Sequence, residues 1–211
     1  MKVFERLDFN LAQCRVEVGE LRDWLDANPT LGEKSILNFF RCRRHLSAFI
    51  ASFNPNVNRF DRIAFEYPLF GDFTCDLVVG DSAGSAFCFV EFEDAGPQSL
   101  FVRRGKKVTR EWSPRFDHGY SQIIDWFHKL DDMQKSSDYA SRFGAPVVRH
   151  SGVLVVGRDH YLNAGERERL VWRGDNVVVA SRAIQCTTFD GLAEILQARL
   201  DVSLRSFQAG G

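Results

Sequence analysis

Two glutamates close a strongly apolar stretch of this chain. The run Phe87–Val90 is followed by Glu91, Phe92 and Glu93. Because alternate residues of a β-strand point to the same face, the two glutamates share a face, with Cα atoms roughly 7 Å apart. Ionised carboxylates are costly to bury unless a cation or several hydrogen-bond donors compensate them. Their position at the end of an apolar strand therefore predicts a metal site.

A third acid, Asp76, lies in the preceding β-rich run, and residues 80–85 carry the Gly, Asp and Ser typical of a turn. If the turn is centred between residues 82 and 83, Asp76 lies opposite Phe89 and on the same face as Glu91. The diagonal between Asp76 and Glu91 is then about 7–8 Å between Cα atoms, close enough for one ion to bind both carboxylates. A shift of one residue would move Asp76 to the other face. Without Asp76, a Glu-x-Glu at a strand end would more commonly indicate an exposed strand.

The composition is that of a globular protein with a large apolar core. The chain has 211 residues, of which 45% are hydrophobic and 19 are Phe, enough to build one substantial domain. This composition excludes the fibrous and disordered classes. A net charge of −1 predicts no general attraction to an acidic partner, so binding of nucleic acid would need a local basic patch.

The cysteines and the N-terminal segment both bear on the compartment. Five scattered cysteines, with no CxxC pair and no His at zinc-finger spacing, are typical of reduced core residues. The first residues lack the apolar segment of a signal peptide, and no run reaches the roughly 18 apolar residues of a membrane span. We therefore expect a soluble, cytoplasmic protein that does not associate with a membrane.

Hydrophobic periodicity predicts an α/β order of elements. Helices are expected at residues 16–27, 33–53, 119–133, 164–172 and 189–200, and strands at residues 62–69, 73–79, 87–93, 152–157 and 177–180. Gly152 and Gly157 bracket a continuous apolar run, which indicates a strand covered on both faces. The core order is thus helix, three antiparallel strands, helix and strand.

A basic segment follows the acidic strand. Six of the thirteen residues from 103 to 115 are basic, namely Arg103, Arg104, Lys106, Lys107, Arg110 and Arg115, and Glu111 is the one acid among them. A solvated hairpin with Gly105 at its turn would explain this segment without any ligand. Beside the three acids, however, it favours contact with a phosphate backbone, and such binding would weaken steeply with salt.

Several short motifs occur in an order that resembles the nuclease domain of Shedu anti-phage proteins. They are the Glu-x-Glu strand at 90–95, the loop at 99–106, the helix at 117–126 with Gln122 and Trp126, the strand end at 155–158 and the segment at 188–192. The resemblance covers roughly residues 33–200. It implies the restriction-endonuclease-like αβββαβ core of the PD-(D/E)xK nuclease superfamily, an α/β fold with a central mixed sheet flanked by helices.

The same resemblance implies a domain organisation and an activity. Residues 31–205 would form the PD-(D/E)xK-like, Shedu-type nuclease domain, residues 1–30 a short N-terminal helical extension, and residues 206–211 a flexible tail. The implied activity is metal-dependent hydrolysis of phosphodiester bonds in phage or plasmid DNA, in anti-phage defence. Related proteins assemble as homo-oligomers, so self-association is expected as well.

The resemblance also implies the site residues. Mg²⁺ or Mn²⁺ would lie between Asp76 and Glu91, with the backbone carbonyl of Phe92 as a further ligand. Most of the superfamily has Lys where this chain has Glu93, which would have to act as a metal ligand or as the base for the attacking water. Gln122 would position that water or a phosphate oxygen. The auxiliary candidates are His118 and Lys129 as cations on the helix of Gln122, and Glu33 and Glu66 as further metal ligands.

Two other functions are compatible with the same residues. One is a nuclease-fold protein that binds DNA or acts as a regulatory, oligomerising protein without catalysis, with Glu93 marking the loss of the lysine. The other is a scaffold that oligomerises through Phe-rich surfaces, in which the acids are only structural. Cleavage of DNA that depends on a metal distinguishes the enzyme from both.

Overall fold

The computed structural model of the chain describes residues 3–209, apart from the side chains of residues 204 and 206–209. Its first half contains β1 (Glu5–Arg6), α1 (Leu11–Ala27), α2 (Glu33–Cys42), α3 (Arg44–Phe49), a 3₁₀ turn (Ile50–Phe53), β2 (Arg62–Leu69), β3 (Phe73–Asp81) and β4 (Ala86–Phe92). Its second half contains β5 (Phe101–Val102), β6 (Glu111–Trp112), α4 (Pro114–Met133), α5 (Ser137–Phe143), β7 (Arg149–Val155), a 3₁₀ turn (Asp159–Tyr161), α6 (Ala164–Asn176), β8 (Val178–Val179), β9 (Arg182–Thr187) and α7 (Phe189–Ala209).

Seven strands form one mixed sheet in the order β1-β2-β3-β4-β7-β9-β8. Strands β1 to β4 pair antiparallel, whereas β7 pairs parallel with both β4 and β9. Helices α1, α2, α3 and α7 cover one face of the sheet, and α4, α5 and α6 cover the other. The predicted α/β class, with a central mixed sheet flanked by helices, is confirmed.

Strand β4 divides its side chains between two apolar cores. Phe87 and Phe89 pack with Trp126 and other residues of α4, whereas Val90 and Phe92 pack on the side of α1, α2 and α7. Every residue of β4 is buried, as expected for a strand covered on both faces. Odd-numbered residues therefore face α4, and this alternation directs the acids at the end of the strand toward that helix.

The β3–β4 hairpin is displaced by two residues from the predicted register. Val78 pairs with Phe89 and Leu77 with Val90, where the regular pairing ends, so this register brings Asp76 next to Glu91 rather than opposite Phe89. The cause lies in the turn, because Asp81 pairs with Ala86 and its carboxylate accepts the two backbone N–H groups of residues 83 and 84. Since the shift is an even number of residues, it leaves Asp76 on the predicted face and brings it closer to Glu91.

The prediction of a single helix over residues 33–53 is wrong, because the helix is interrupted at Arg43. The backbone of Arg43 has φ −122° and ψ 74°, outside the helical region, and its guanidinium binds Glu20 of α1 at 2.7 Å. The carboxylate of Glu17 then accepts the backbone N–H of Leu46 at 2.8 Å and thereby replaces a lost intrahelical bond. Two short helices result, and α2 alone faces the acids.

Other elements also differ from the prediction. Strand β9 was not predicted, because its side chains alternate poorly between polar and apolar, yet it pairs parallel with β7. Helix α4 begins earlier than expected, since Ser113 caps it by accepting the N–H of Phe116 and Pro114 occupies its first turn. The predicted tail at 206–211 lies partly outside the described residues, and α7 extends to Ala209.

Two further observations concern the chain as a whole. All five cysteines have free thiols. Within residues 3–209, every helix is too short or too polar to cross a bilayer. The division into an extension at 1–30 and a nuclease domain at 31–205 stays a prediction, although α1 contributes Val18 and Leu21 to the same apolar core as α7.

Arg158 joins the end of β7 to the start of α7. Its guanidinium donates to both carboxylate oxygens of Asp190, at 2.9–3.1 Å, and to the backbone carbonyl of Asn28 at 2.6 Å. Asp190 also accepts the backbone N–H of Asp159 at 2.7 Å. Arg158 and Asp190 belong to the two C-terminal motifs of the sequence, and these contacts make them structural residues.

We expect Arg158→Ala to lower the free energy of unfolding by about 1–3 kcal/mol, because the half-buried carboxylate of Asp190 and the carbonyl of Asn28 lose the buried guanidinium that donates to them. Urea denaturation measures this change. The matched control is Arg22→Ala on the exposed surface of α1, which should alter stability by less than about 0.5 kcal/mol. Equal stabilities of the two variants would contradict a structural role for Arg158.

Candidate metal centre

A cleft of about 530 Å³ opens between α2 and α4, over the end of β4 and the middle of β2 and β3. Five carboxylates line it, from Glu33, Glu66, Asp76, Glu91 and Glu93. The two helices contribute the remaining polar side chains, which are Lys34, Asn38 and Arg41 from α2, and Arg115, His118 and Gln122 from α4. The structure thus brings the three main acids together with Glu33 and Glu66, the two acids that the sequence offered as auxiliary ligands.

An unusual backbone at Glu66 helps to form the cleft. Glu66 lies within β2 but has φ +47°, a left-handed conformation that is strained for a residue with a side chain. Ala64 and Tyr67 on either side both pack against the α4-side core, although regular alternation would separate them. The reversal occurs where β2 lies beside Asp76, and it leaves the side chains of Glu66 and Asp76 at the cleft.

Asp76 of β3 and Glu91 of β4 both line the cleft. Asp76 accepts the backbone N–H of Phe92 at 2.9 Å, which fixes one of its carboxylate oxygens. Burial raises the pKa of Asp76 to about 6; this hydrogen bond opposes the increase, while Glu33 and Glu66 add to it. The strand pair therefore holds Asp76 in a setting that disfavours its ionised form.

Glu91 is the most strongly perturbed acid of the cleft. It is only 7% exposed, and its Oε2 is buried with no hydrogen-bond partner within the described part of the chain. Burial raises the pKa of Glu91 to about 10, with further contributions from Asp76 and Glu93. A carboxyl group in this position either remains protonated or requires a cation.

Glu93 has a different environment, because an arginine lies beside it. Its Oε2 is 3.3 Å from Nη1 of Arg115, while the residue itself is 2% exposed. Burial raises the pKa of Glu93 to about 8; Arg115 opposes the increase, and Glu33 adds to it. Glu33 and Asp94 also contact the guanidinium of Arg115, so three carboxylates share one positive charge.

Helix α4 approaches the strand closely at Gly119. A Cβ atom at this position would lie 2.7 Å from a methyl of Leu154 and 2.9 Å from Cγ of Glu93. The absence of a side chain therefore lets α4 pack directly over Glu93. This close approach sets the position of Arg115, one turn earlier in the same helix.

The donor set suits a hard divalent cation. No three His, Cys, Asp or Glu side chains among residues 3–209 converge closely enough to form a complete metal-binding set. Mg²⁺ does not require one, since it is commonly held by one or two carboxylates together with water and substrate phosphate. Asp76 and Glu91 supply such a pair, and the unpartnered Oε2 of Glu91 is a free ligand atom.

Gln122 and His118 project from α4 into the cleft. Oε1 of Gln122 is buried without a hydrogen-bond partner in the described part of the protein. His118 also lines the adjoining groove, which is about 690 Å³ in volume. Both residues therefore lie where the sequence predicted them, at the acid cluster.

The other auxiliary candidates fall into two groups. Glu33 and Glu66 line the cleft, but Arg115 and Arg41 respectively are their ion-pair partners. Lys129 does not line it, since its ammonium group binds Asp72 at 2.5 Å. Lys129 is therefore not placed to act on a ligand at Glu91.

The six basic residues of the segment 103–115 also have different environments. Arg103, Arg104, Lys106 and Lys107 lie in the exposed loop between β5 and β6, with Gly105 at φ +61°, so the segment is a hairpin. Arg104 and Lys107 contact Glu111 there. Arg110 instead donates to both carboxylate oxygens of the buried Glu166 and to the carbonyl of Tyr161. Arg110 is thus a structural residue, and Arg115 belongs to the acid cluster.

The polar face of α2 was not predicted from the sequence. Lys34, Asn38 and Arg41 are spaced by four and three residues, so they share the face that lines the cleft. Their apolar neighbours Phe39 and Phe40 pack into the core on the opposite side. The amphipathic pattern of α2 is visible in the sequence, but it identifies these residues as part of the cleft only once α2 is known to pack beside the acids.

The fold and the cleft define the class of the protein: a mixed α/β domain in which buried acids at the end of a central strand meet between two helices. The family model described as Shedu protein SduA, C-terminal, matches residues 31–193, and the chain belongs to that family. The matched segment contains every acid of the cleft, and the predicted resemblance is confirmed. No curated protein matches the chain.

We expect Gly119→Ala to lower the free energy of unfolding by about 1–3 kcal/mol, because the added methyl overlaps Leu154 and Glu93. Chemical denaturation measures the loss. Gly19→Ala in α1 is the matched control, since a Cβ there meets nothing within 4 Å, and it should stabilise the protein by about 0.5–1 kcal/mol. Similar effects of the two substitutions would refute the close approach of α4.

Glu91 should make the metal-free protein less stable as the pH rises. Its pKa is raised from 4.5 to about 10, so between these values the unfolded chain ionises while the folded protein retains the proton. Stability is therefore highest below the lower value and falls as the pH increases through this window. One pKa unit corresponds to about 1.4 kcal/mol.

We thus expect Glu91→Gln to be more stable than the parent protein by at least about 1 kcal/mol near pH ~8 in a chelator, and to flatten the pH dependence. Urea denaturation across the pH range measures both effects. Glu168→Gln, at an exposed position of α6, is the control and should change neither. A parent curve that is flat from acid to alkaline pH would be inconsistent with a protonated Glu91.

Proposed function

We propose that this protein is a divalent-metal-dependent endonuclease that hydrolyses phosphodiester bonds of DNA in defence against phage. The observation that carries the proposal is the buried carboxylate of Glu91, whose Oε2 has no hydrogen-bond partner in the described part of the chain and which lines an open cleft together with Asp76. Membership of the Shedu family supports the defensive role. We further propose that it acts in the cytoplasm as a homo-oligomer, on phage or plasmid DNA.

Asp76 and Glu91 would hold Mg²⁺ or Mn²⁺, with the backbone carbonyl of Phe92 as a third protein ligand. A divalent cation supplies charge neutralisation at a phosphate and lowers the pKa of a water molecule. The carboxylates suit this role because hard cations prefer oxygen ligands. The strain at Glu66 and the N–H of Phe92 would keep Asp76 oriented toward Glu91.

Hydrolysis adds one water across a phosphorus–oxygen bond. The water oxygen bonds to phosphorus, the bond from phosphorus to the leaving oxygen breaks, and one water proton ends on that oxygen. Gln122 can serve both partners, because its Oε1 accepts a hydrogen bond and its amide N–H groups donate. We propose that it orients the water or a phosphate oxygen at the cleft.

Two basic surfaces would bind the DNA backbone. One is the exposed loop with Arg103, Arg104, Lys106 and Lys107, and the other is the α2 face with Lys34 and Arg41. Phosphate contacts of this kind are independent of base sequence and weaken with salt. Arg110 is omitted from this surface, since Glu166 and Tyr161 already engage its guanidinium.

We expect the protein to nick supercoiled plasmid with Mg²⁺ or Mn²⁺ and to be inactive in a chelator. Asp76→Asn and Glu91→Gln should each lower the rate at least about 100-fold, because each removes charge that binds the cation. Gel electrophoresis of the plasmid over time measures the rate. Glu168→Gln should cleave like the parent protein.

Thermal unfolding with and without Mn²⁺ provides a second measurement on the same variants. An ion present at a hundred times its dissociation constant stabilises the folded state by about 2.7 kcal/mol. Stabilisation without cleavage would favour a nuclease-fold binding protein that lacks catalysis. Equal cleavage rates for the parent protein, Asp76→Asn and Glu91→Gln, or no cleavage with either metal, would refute the proposed nuclease activity.

A further inference from the structure

The cleft contains five acids, yet a phosphodiester substrate is itself an anion. A bound divalent cation at Asp76 and Glu91 would offset part of this repulsion, but charge also develops on the other phosphate oxygens during hydrolysis. A positively charged side chain facing the phosphate is therefore expected. Strand β4 provides none, because Glu91 and Glu93 are its polar residues at the cleft.

Arg115 has the position that such a cation requires. It lies in the first turn of α4, directly after Ser113 and Pro114, which fix the start of the helix. Its side chain is 43% exposed, whereas Glu93 beneath it is 2% exposed. Arg115 lines the acid cleft and two adjoining depressions of about 690 and 660 Å³, so its guanidinium lies at the junction of three open surfaces.

Three carboxylates hold the guanidinium at this junction. Glu33 of α2 binds Nη1, which also lies 3.3 Å from Oε2 of Glu93, and Nε lies 3.7 Å from Oδ2 of Asp94. The hydroxyl of Ser99 donates to Asp94 and fixes that carboxylate in turn. A guanidinium has five N–H donors in a planar fork, so these contacts leave donors available for a phosphate.

Glu93 is directed toward Arg115 and α4. Its Cγ lies under Gly119 and its Oε2 forms an ion pair with Arg115, whereas Asp76 and Glu91 have no such partner among the described ion pairs. A residue buried in this way supports the guanidinium from below. The two neighbouring glutamates of the strand therefore have different tasks.

We propose that Arg115 contacts the scissile phosphate and that Glu93 is a positioning residue for Arg115, not a metal ligand or a base. This inference rests on the proposed nuclease function. It assigns the metal to Asp76 and Glu91 and the second positive charge to the first turn of α4. Arg115 thus supplies to the phosphate the charge that strand β4 does not carry.

A double-mutant cycle separates these roles. Arg115→Ala, Glu93→Gln and the double variant are compared in single-turnover cleavage of a duplex oligonucleotide at saturating Mn²⁺. We expect Arg115→Ala to lower the rate about 100-fold and Glu93→Gln to lower it less. Because Glu93 acts through Arg115, the double variant should be no slower than Arg115→Ala alone.

Three accompanying measurements exclude a merely structural effect. Mn²⁺ should still raise the melting temperature of Arg115→Ala and Glu93→Gln, but not that of Glu91→Gln. Arg115→Lys should recover part of the rate, since it restores the charge without the planar fork. Arg22→Ala, on exposed α1, is the matched control for loss of one positive charge.

Several outcomes would overturn the inference while leaving the nuclease intact. Multiplicative effects of the two substitutions, or loss of the Mn²⁺ shift in Glu93→Gln, would give Glu93 an independent role as base or ligand. An unchanged cleavage rate in Arg115→Ala would refute the proposal that Arg115 contacts the scissile phosphate.

Binding of the same duplex in Ca²⁺, followed by fluorescence anisotropy, keeps the two hypotheses distinguishable if the parent protein does not cleave. Weaker binding by Arg115→Ala than by Arg22→Ala would support the phosphate contact without the enzyme. Equal affinities of these two variants would overturn the contact as well.

Discussion

Repulsion among carboxylates governs the arrangement of the cleft. Glu33, Glu93 and Asp94 share Arg115 as their cation, and Glu66 has Arg41. Within the described residues, no Lys, Arg or His lies within ion-pair distance of Asp76 or Glu91, and burial raises the pKa of both. Each peripheral acid thus has an arginine within ion-pair distance, whereas the central pair has none. This division points to the central pair as the place for an external cation.

The fold creates this division at the boundary between the two halves of the sheet. Strand β4 pairs antiparallel with β3 on one side and parallel with β7 on the other, so Glu91 and Glu93 emerge from the middle of the sheet. The N–H of Glu93 still bonds to the carbonyl of Val155, which fixes the strand end. Gly119 then lets α4 descend onto Glu93, and the left-handed backbone of Glu66 leaves Asp76 at the cleft.

Local patterns in the sequence were sufficient for much of this structure. The bounds of β2 were predicted as observed, and the parity of the hairpin placed Asp76 on the correct face although the turn shifted its register by two residues. An even shift preserves the face, so the prediction of the acid pair tolerated the error. Contacts between distant segments were beyond such patterns.

The cationic residues illustrate this limit. Arg110 and Arg115 are five positions apart in one basic segment, yet Arg110 binds Glu166 and Arg115 binds Glu33 and Glu93. Glu166 is 56 residues from Arg110 in the sequence, and Glu33 is 82 residues from Arg115. These ion pairs depend on the packing of α6 and α2 beside the basic segment. The order of charges along the sequence does not predict that packing.

The unpaired state of Glu91 also bears on whether the cleft is a working site. A buried carboxyl group without a cation or a donor destabilises a fold, and an apolar side chain or an amide would relieve that cost. Strain at Glu66 adds a second local cost of about 1–3 kcal/mol. Local costs of this kind are found mainly at functional sites, where strained or destabilised residues take part in the activity. Both features are expected where a cation binds, so the energetics of Glu91 and Glu66 support the proposed metal site at this cleft.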